Sequence, residues 1–540
     1  MNKGFISGLF AILTVLSLSM GLAGCEKKPT VDDGVDTIPF ARLLEHQSFK
    51  SHILDRDIHY AILLPAEYEN STASFPVVYL LHGFGESETG WYKGGSAQYY
   101  IDQFAAETVP MIYVMPEGFN SYYVNKFDGS FPYMDMFVKE LVPHIDSLFH
   151  TFKDARHRAV MGYSMGGYGA LILPLKNPAV FKTAAVLSMS FRTDDQYKAE
   201  PQSVFNLQWG SIFGGSGTTG DQRLTDYFKN YSPFHFLVGS GSTTADGLNL
   251  FIDCGDDEET LSVTNNALHA TLRDQNINHE FRVRNGAHSW DYWHSALPEA
   301  LKYIGFAVRQ MQYPDDPVPV DPGEQVPAER IISEQLSGSN LTFNVIKPAA
   351  YNETTALFPL IVMLHDRTQG QESLESQRLY SLLNTGMASS KLPQSLVLEI
   401  PGQATIITHD ILQQVLDQVK TKYRITDKKG QTVLAGNNKA GSIAWQLATG
   451  FSSTFGACLL FDASLPADAS VVDPGISYYL DIPDNGINYM GYNALYFAIR
   501  QQDVPYEYRV RQGMPSSQSF LNGLSDSFLF MKDHLKSTGK

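Results

Sequence analysis

The chain has 540 residues, 43% hydrophobic, 18% charged and 12% aromatic, which is too long for one ordinary domain and too apolar for a disordered or collagen-like polymer. Its formal charge of −17, from 57 acidic and 40 basic residues, argues against a nucleic-acid partner, which needs a basic face. The three cysteines, Cys25, Cys254 and Cys458, are too few for a disulfide framework or a cysteine-built metal site.

In chain order, residues 1–24 read as a signal peptide. Lys3 supplies the charge, and residues 5–20 form an apolar run too short to span a membrane. Leu22-Ala23-Gly24-Cys25 resembles the bacterial lipobox, whose cysteine is acylated and becomes the mature N-terminus. That resemblance implies membrane attachment through Cys25 and a place in the bacterial cell envelope, with the membrane face left open. Residues 25–44 read as a polar tether.

Strand and helix patterns then alternate. The apolar runs at 75–81 (FPVVYLL) and 111–115 (MIYVM) suit strands buried on both faces. Residues 136–149 have helical spacing. Residues 158–162 read as a strand, and 165–176 as a helix stopped by Asn177-Pro178. Further strands fall at 184–188 and 250–253. This alternation predicts a mostly parallel sheet flanked by helices.

A stretch with five prolines, 313–327 (YPDDPVPVDPGEQVP), reads as a stiff linker. It separates residues 45–312 from a smaller domain at 328–540. The second segment repeats the first. Residues 65–82 match 348–365 at one offset of 283, with nine of 18 positions identical. Arg282-Val283-Arg284 and Gly286 recur as Arg509-Val510-Arg511 and Gly513, at offset 227. The expectation is two tandem copies of one α/β fold.

The chemistry concentrates in the first copy. Gly162-Tyr163-Ser164-Met165-Gly166 lies between a strand and a helix, where a tight turn exposes a serine as nucleophile. The Met165 N–H is then placed to bind an oxyanion. A serine nucleophile needs a base. His288, in the loop Arg284-Asn285-Gly286-Ala287-His288 after a strand, is the candidate, with His279 and His294 as nearby competitors. Leu81-His82-Gly83-Phe84-Gly85 ends an early strand. There the Phe84 N–H is the candidate for a second oxyanion donor, and His82 is expected to buttress the loop.

The segments LLHGFGES, GYSMGGYGAL, FIDCGDDEE and GAHSWDYW, together with Trp91, resemble the esterase D/feruloyl esterase family, which includes the mycobacterial mycolyltransferases. The resemblance covers roughly residues 45–308. It implies two α/β-hydrolase-fold domains, the first catalytic, with no cofactor or metal. It carries over Ser164 as nucleophile, His288 as base, and Phe84 and Met165 as the oxyanion hole. The family's acid lies three positions after the strand-ending glycine, at Glu258 here, and Asp257 is the alternative.

In the second copy the serine aligns with Asn438, the histidine with Pro515 and His82-Gly83 with His365-Asp366, while the acid position falls near Asn485 or Gly486. Ser164 to Asp253 spans 89 residues, but Asn438 to Asp481 spans 43. The missing stretch corresponds to a cleft cover at about 191–249. This copy is predicted to be degenerate and non-catalytic. The cover's Phe205, Trp209, Phe213, Tyr227 and Phe228 suit an aromatic acyl group or a sugar, or equally core packing.

The sequence therefore predicts a lipid-anchored carboxylic ester hydrolase releasing feruloyl or acetyl groups from plant polysaccharide or oligosaccharide esters. Acyl transfer of the mycolyltransferase type is one alternative, since Tyr122-Tyr123-Val124-Asn125 sits where those enzymes carry an aromatic segment. A carbohydrate-binding surface lipoprotein is another. Oligomeric state is left open.

Overall fold

The computed structural model describes residues 41–238, 245–401 and 407–536. The predicted signal peptide, Cys25 and the tether up to residue 40 lie outside the described residues. The first half contributes β1 (Arg42–Ser51), β2 (Arg56–Leu64), β3 (Val77–Leu81), β4 (Ile112–Pro116), β5 (Arg158–Tyr163), β6 (Thr183–Leu187), β7 (Asn249–Gly255) and β8 (Glu280–Arg284). The second contributes β9 (Ile331–Gln335), β10 (Thr342–Ile346), β11 (Leu360–His365), β12 (Leu396–Pro401), β13 (Thr432–Asn437), β14 (Ala457–Phe461), β15 (Ser477–Pro483) and β16 (Tyr506–Arg511).

These strands form one sheet in the order β1-β2-β4-β3-β5-β6-β7-β8-β16-β15-β14-β13-β11-β12-β10-β9. Each half therefore runs the same order from its outer hairpin to its last strand. Within each half, the strands from the fourth to the last in that order pair in parallel. The central ones are buried along their whole length, as β3 (VVYLL) and β13 (TVLAGN) show. Helices cover both faces, so apolar side chains pointing either way leave water. One apolar cluster runs along one face through both halves, from Ile58 to Val510. On the other face each half has its own cluster, around Trp91, Trp293 and Ile304 in the first and Leu379, Phe520 and Met531 in the second.

The halves meet through their last strands, which pair antiparallel with Val283 opposite Val510. The contacts around this pair are reciprocal. Arg282 Nη1 donates to Asp484 Oδ2 at 2.7 Å, and Arg509 Nη1 donates to Asp256 Oδ2 at 2.8 Å. The Phe281 N–H reaches Asp484 at 3.2 Å, and the Tyr508 N–H reaches Asp256 at 2.9 Å. Such self-complementary pairing is the geometry of an isologous dimer interface, here within one chain. The described residues form one compact unit accordingly.

Two expected boundaries shift. The residues from Arg42 to Leu44, read as tether, are already part of β1, which pairs antiparallel with β2 and supplies the sheet's first edge. The proline-rich stretch is extended but not free. The Tyr313 ring packs on Tyr303 at 5.1 Å, the Val320 N–H donates to Asn522 at 2.8 Å and Thr385 donates to the Pro322 carbonyl at 2.9 Å. It crosses from one half to the other as a strap, because its carbonyls find donors on the second half that the composition did not announce.

Candidate active site

Ser164 sits between β5 and the helix Met165–Lys176, with φ 58° and ψ −120°. No side chain favours that conformation, so surrounding contacts must impose it. Both flanking glycines are required by space. A Cβ on Gly162 would lie 2.2 Å from the Gly166 carbonyl oxygen, and one on Gly166 would lie 2.1 Å from that of Leu81. The turn is thereby clamped against the end of β3 and the Ser164 side chain is left half-exposed.

His288 Nε2 lies 2.9 Å from Ser164 Oγ. On the other side of the ring, His288 Nδ1 lies 2.8 Å from Glu258 Oε2. The Glu258 carboxylate is fully buried, and its second oxygen accepts from the Gly255 N–H at 2.8 Å and the Ser188 hydroxyl at 2.5 Å. Ser188 accepts in turn from the Trp293 indole N–H at 2.8 Å. This relay leaves Glu258 Oε2 free to accept a hydrogen bond from Nδ1–H, which sets Nε2 as the acceptor facing the serine. Asp257, the alternative acid, is exposed. Asp253 is occupied by Arg284 at 2.7 Å and by the Tyr292 hydroxyl.

The competing histidines lie elsewhere. His279 is buried against His269 at 2.6 Å, and His294 reaches the Gly95 carbonyl at 3.0 Å while stacking on Tyr100. Cys254 and Cys458 are buried free thiols pushed up by burial.

The β3 loop closes over the serine. A Cβ on Gly83 would stand 3.5 Å from Ser164 Cβ, and the Phe84 N–H follows on that loop. Met165 opens a helix, where an N–H has no intrahelical acceptor. His82 holds the loop from inside. Its Nδ1 lies 2.8 Å from the Gly83 carbonyl oxygen, and its Nε2 accepts from the Gly118 N–H at 2.7 Å. Burial pushes its pKa down to about 4, so it is a neutral brace. Tyr122 and Tyr123 are buried, and the Tyr123 hydroxyl donates to the His82 carbonyl at 3.0 Å.

The cover is present in the first half, but its aromatics face inward. Phe205, Trp209, Phe213 and Phe228 are completely buried, and Tyr227 donates to the Asn125 carbonyl at 2.5 Å. They hold the cover together, and the half-buried Tyr227 is the one of the five with solvent access. Arg223 fastens the same layer through the carbonyls of Thr218, Tyr197, Lys198 and Glu200.

Three participants escaped the sequence reading: Ser188, Trp293 and Glu86. Trp293 stands in the WDYW segment after the base loop, and its ring lies 4.9 Å from that of His288. Glu86, in the HGFGES segment, pairs with the Tyr163 hydroxyl. Burial raises its carboxyl above the ordinary range, and the attraction of His288 opposes this.

In the second half Asn438 keeps the positive φ of the elbow, at 48°. Asp366 replaces Gly83, and its carboxylate accepts from the Lys439 N–H at 3.3 Å. Lys439 is the counterpart of Met165. The cavity beside Asn438 measures about 10 Å³, room for one water at most.

A serine on a strand-to-helix turn, a histidine and a buried carboxylate in one hydrogen-bonded row, on a mostly parallel sheet, define the α/β-hydrolase class. Residues 51–304 match the family model described as "Putative esterase", so this part of the chain is similar to that esterase family. Among relatives, an endo-1,4-beta-xylanase/feruloyl esterase of Xylanibacter ruminicola is 33% identical over 136 residues, covering 24% of this chain and 18% of that protein. An esterase of Mycobacterium tuberculosis is 30% identical over 163 residues, covering 28% of this chain and 35% of that protein. The chain thus spans between about a fifth and a third of the length of these relatives. An acetyl esterase of Caldicellulosiruptor saccharolyticus is 22% identical over 270 residues, covering 48% of this chain and 96% of that one. A solved ferulic acid esterase aligns with 49% of this chain and 98% of its own, at 25% identity and a TM-score of 0.42.

Proposed function

We propose that the chain is an envelope-anchored serine esterase that releases feruloyl or acetyl groups from plant polysaccharide or oligosaccharide esters. The row Ser164–His288–Glu258, with spacings of 2.9 and 2.8 Å, carries this reading. His288 Nε2 takes the Ser164 proton as Oγ attacks the ester carbonyl, and Glu258 stabilises the imidazolium that forms. The N–H groups of Phe84 and Met165 hold the oxyanion. The alcohol leaves with the proton from His288, and water, deprotonated by the same ring, hydrolyses the acyl-enzyme. The names of the xylanase/feruloyl esterase and acetyl esterase relatives support the choice of acyl groups.

Acylation of Cys25 would hold this body at a membrane, a reading that rests on the lipobox-like tetrapeptide. The second half is read as non-catalytic, since an asparagine, a proline and an inward-turned carboxylate stand where the first half has its nucleophile, base and oxyanion loop. The test is a turnover screen of methyl ferulate against acetylated xylan, alongside labelling of Ser164 by a fluorophosphonate. Turnover of either ester with labelling at Ser164 is expected. Folded protein that is neither labelled nor active overturns the esterase reading in favour of carbohydrate binding. A new ester formed on adding an alcohol, at the expense of free acid, moves the assignment to acyl transfer. A Cys25→Ser variant recovered in the membrane fraction would sink the anchor.

A further inference from the structure

Between the two catalytic loops lies a residue that touches neither substrate nor serine. Asp256 follows the end of β7 and stands two residues before Glu258. It is 1% exposed. Its Oδ1 accepts from the Gly286 N–H at 3.0 Å, and Gly286 stands two residues before His288. The Asp257 N–H returns to the Gly286 carbonyl at 3.1 Å, and the Asp256 N–H to that of Arg284 at 3.0 Å. The loop that presents the acid and the loop that presents the base are therefore laced together at Asp256.

Among the described residues, the other hydrogen bonds that the Asp256 side chain and carbonyl accept come from the second half. Arg509 Nη1 and the Tyr508 N–H reach Oδ2. The hydroxyls of Tyr496 and Tyr506 reach the carbonyl at 2.7 and 3.1 Å, with Arg500 at 3.3 Å. The reciprocal site makes a natural control. Asp484 receives Arg282, the Phe281 N–H and, on its carbonyl, Arg273 at 2.7 Å. Where the second half offers Tyr496 and Tyr506, the same sequence offset places His269 and His279 in the first, and these bond to each other. The side of the junction behind the catalytic loops is thus the more heavily donated side.

We propose that the second half is a positioning module for the first: Arg509, with Tyr496, Tyr506 and the Tyr508 backbone, fixes Asp256 and through it the relative placement of Glu258 and His288. This rests on the esterase reading for its kinetic consequence, but the placement itself is independent of substrate. Arg509 is a positioning residue and no part of it approaches the reacting atoms. Around metal ligands, loss of such outer support typically lowers activity about 10–100-fold, and the same scale is expected here.

The test uses full-length variants. Arg509→Ala is expected to lower kcat for p-nitrophenyl acetate about tenfold with KM within about twofold, and Arg509→Lys to restore a large part of it. Asp484→Asn breaks the twin contact and is expected to lower the thermal midpoint comparably while leaving kcat within about twofold. Equal kcat losses in Arg509→Ala and Asp484→Asn, or no loss in Arg509→Ala, overturn the proposal. If Arg509→Ala does not fold, Tyr506→Phe takes its place, with a smaller kcat loss expected and an unchanged kcat overturning. A second readout does not need turnover: the downfield proton resonance of the His288–Glu258 hydrogen bond. It is expected to weaken in Arg509→Ala and persist in Asp484→Asn, and its persistence in both overturns the proposal. A wild-type chain with this resonance but no esterase activity would defeat the functional reading and leave the positioning role to be decided by the spectrum.

Discussion

Ser164 and Asn438 occupy the same turn, at φ 58° and 48°, yet their surroundings have diverged. Around Ser164 the neighbouring loop is a bare glycine backbone, and the histidine points at the serine oxygen. Around Asn438 the loop carries Asp366, whose carboxylate occupies the N–H that the first half leaves for an oxyanion. Asn437 then pins Asp366 by its backbone on both sides, at 2.8 and 3.0 Å. Backbone strain at an elbow is therefore a property of the strand–helix junction that persists without the chemistry. The two elbows differ in the groups that fill the space beside them.

The largest effect comes from exchanging the two elbow residues. Ser164→Ala should reduce ester turnover by about a thousandfold or more, with little change in thermal midpoint. Adding Asn438→Ser to that variant should restore neither turnover nor fluorophosphonate labelling, because a proline, Pro515, stands at the position of the histidine base. Labelling there would erase the contrast. Next, Glu258→Gln should lower kcat by about 10²–10⁴-fold, since an amide no longer stabilises the imidazolium. Asp257→Asn, on an exposed side chain, should change it less than about twofold. Equal losses would show that burial does not select the acid.

Gly162→Ala should destabilise by about 3 kcal/mol or more, as its Cβ would meet a backbone oxygen at 2.2 Å. Gly436→Ala meets the equivalent oxygen at 2.8 Å and should lose less, which chemical denaturation of the two variants measures. The smallest effect is on pH. Buried His82 is held near a pKa of about 4 against an ordinary 6.5. Between these values the unfolded chain binds a proton that the folded one refuses, so stability falls as pH drops through that window, by roughly 3 kcal/mol. Its counterpart His365 is hydrogen-bonded to Glu399. Burial raises the Glu399 carboxyl, but the bonds from His365 and Ser376 outweigh it and hold it down to about 2. That contribution is retained until pH falls below about 4.5. His82→Gln should flatten the dependence of the thermal midpoint on pH between 6.5 and 4, and an unchanged slope would refute the assignment.

The elbow, the base loop and the repeat were legible because each is local: a few residues whose spacing is dictated by a turn or a strand. The acid was legible only as a pair. Asp257 and Glu258 are adjacent carboxylates, and which one turns inward depends on how Asp256 is tied down by residues more than 200 positions away. The junction was invisible for the same reason, as Arg509 and Asp256 carry no pattern that links them before the chain folds. The cover aromatics could equally face a ligand or one another, and in the structure Trp209 stacks on Phe213 and packs against Tyr122. The linker's composition reported its extended backbone correctly but not the donors waiting for its carbonyls.

Joining the halves through β8 and β16 has a consequence for dilution. A separate pair of subunits meeting over such a surface would come apart by mass action as its concentration fell. Here a strap of fifteen residues, 313–327, keeps the partner at an effective concentration of order millimolar whatever the amount of protein present. A sheet edge that would otherwise seek a second molecule is permanently occupied by its own chain, and each molecule carries its own complement.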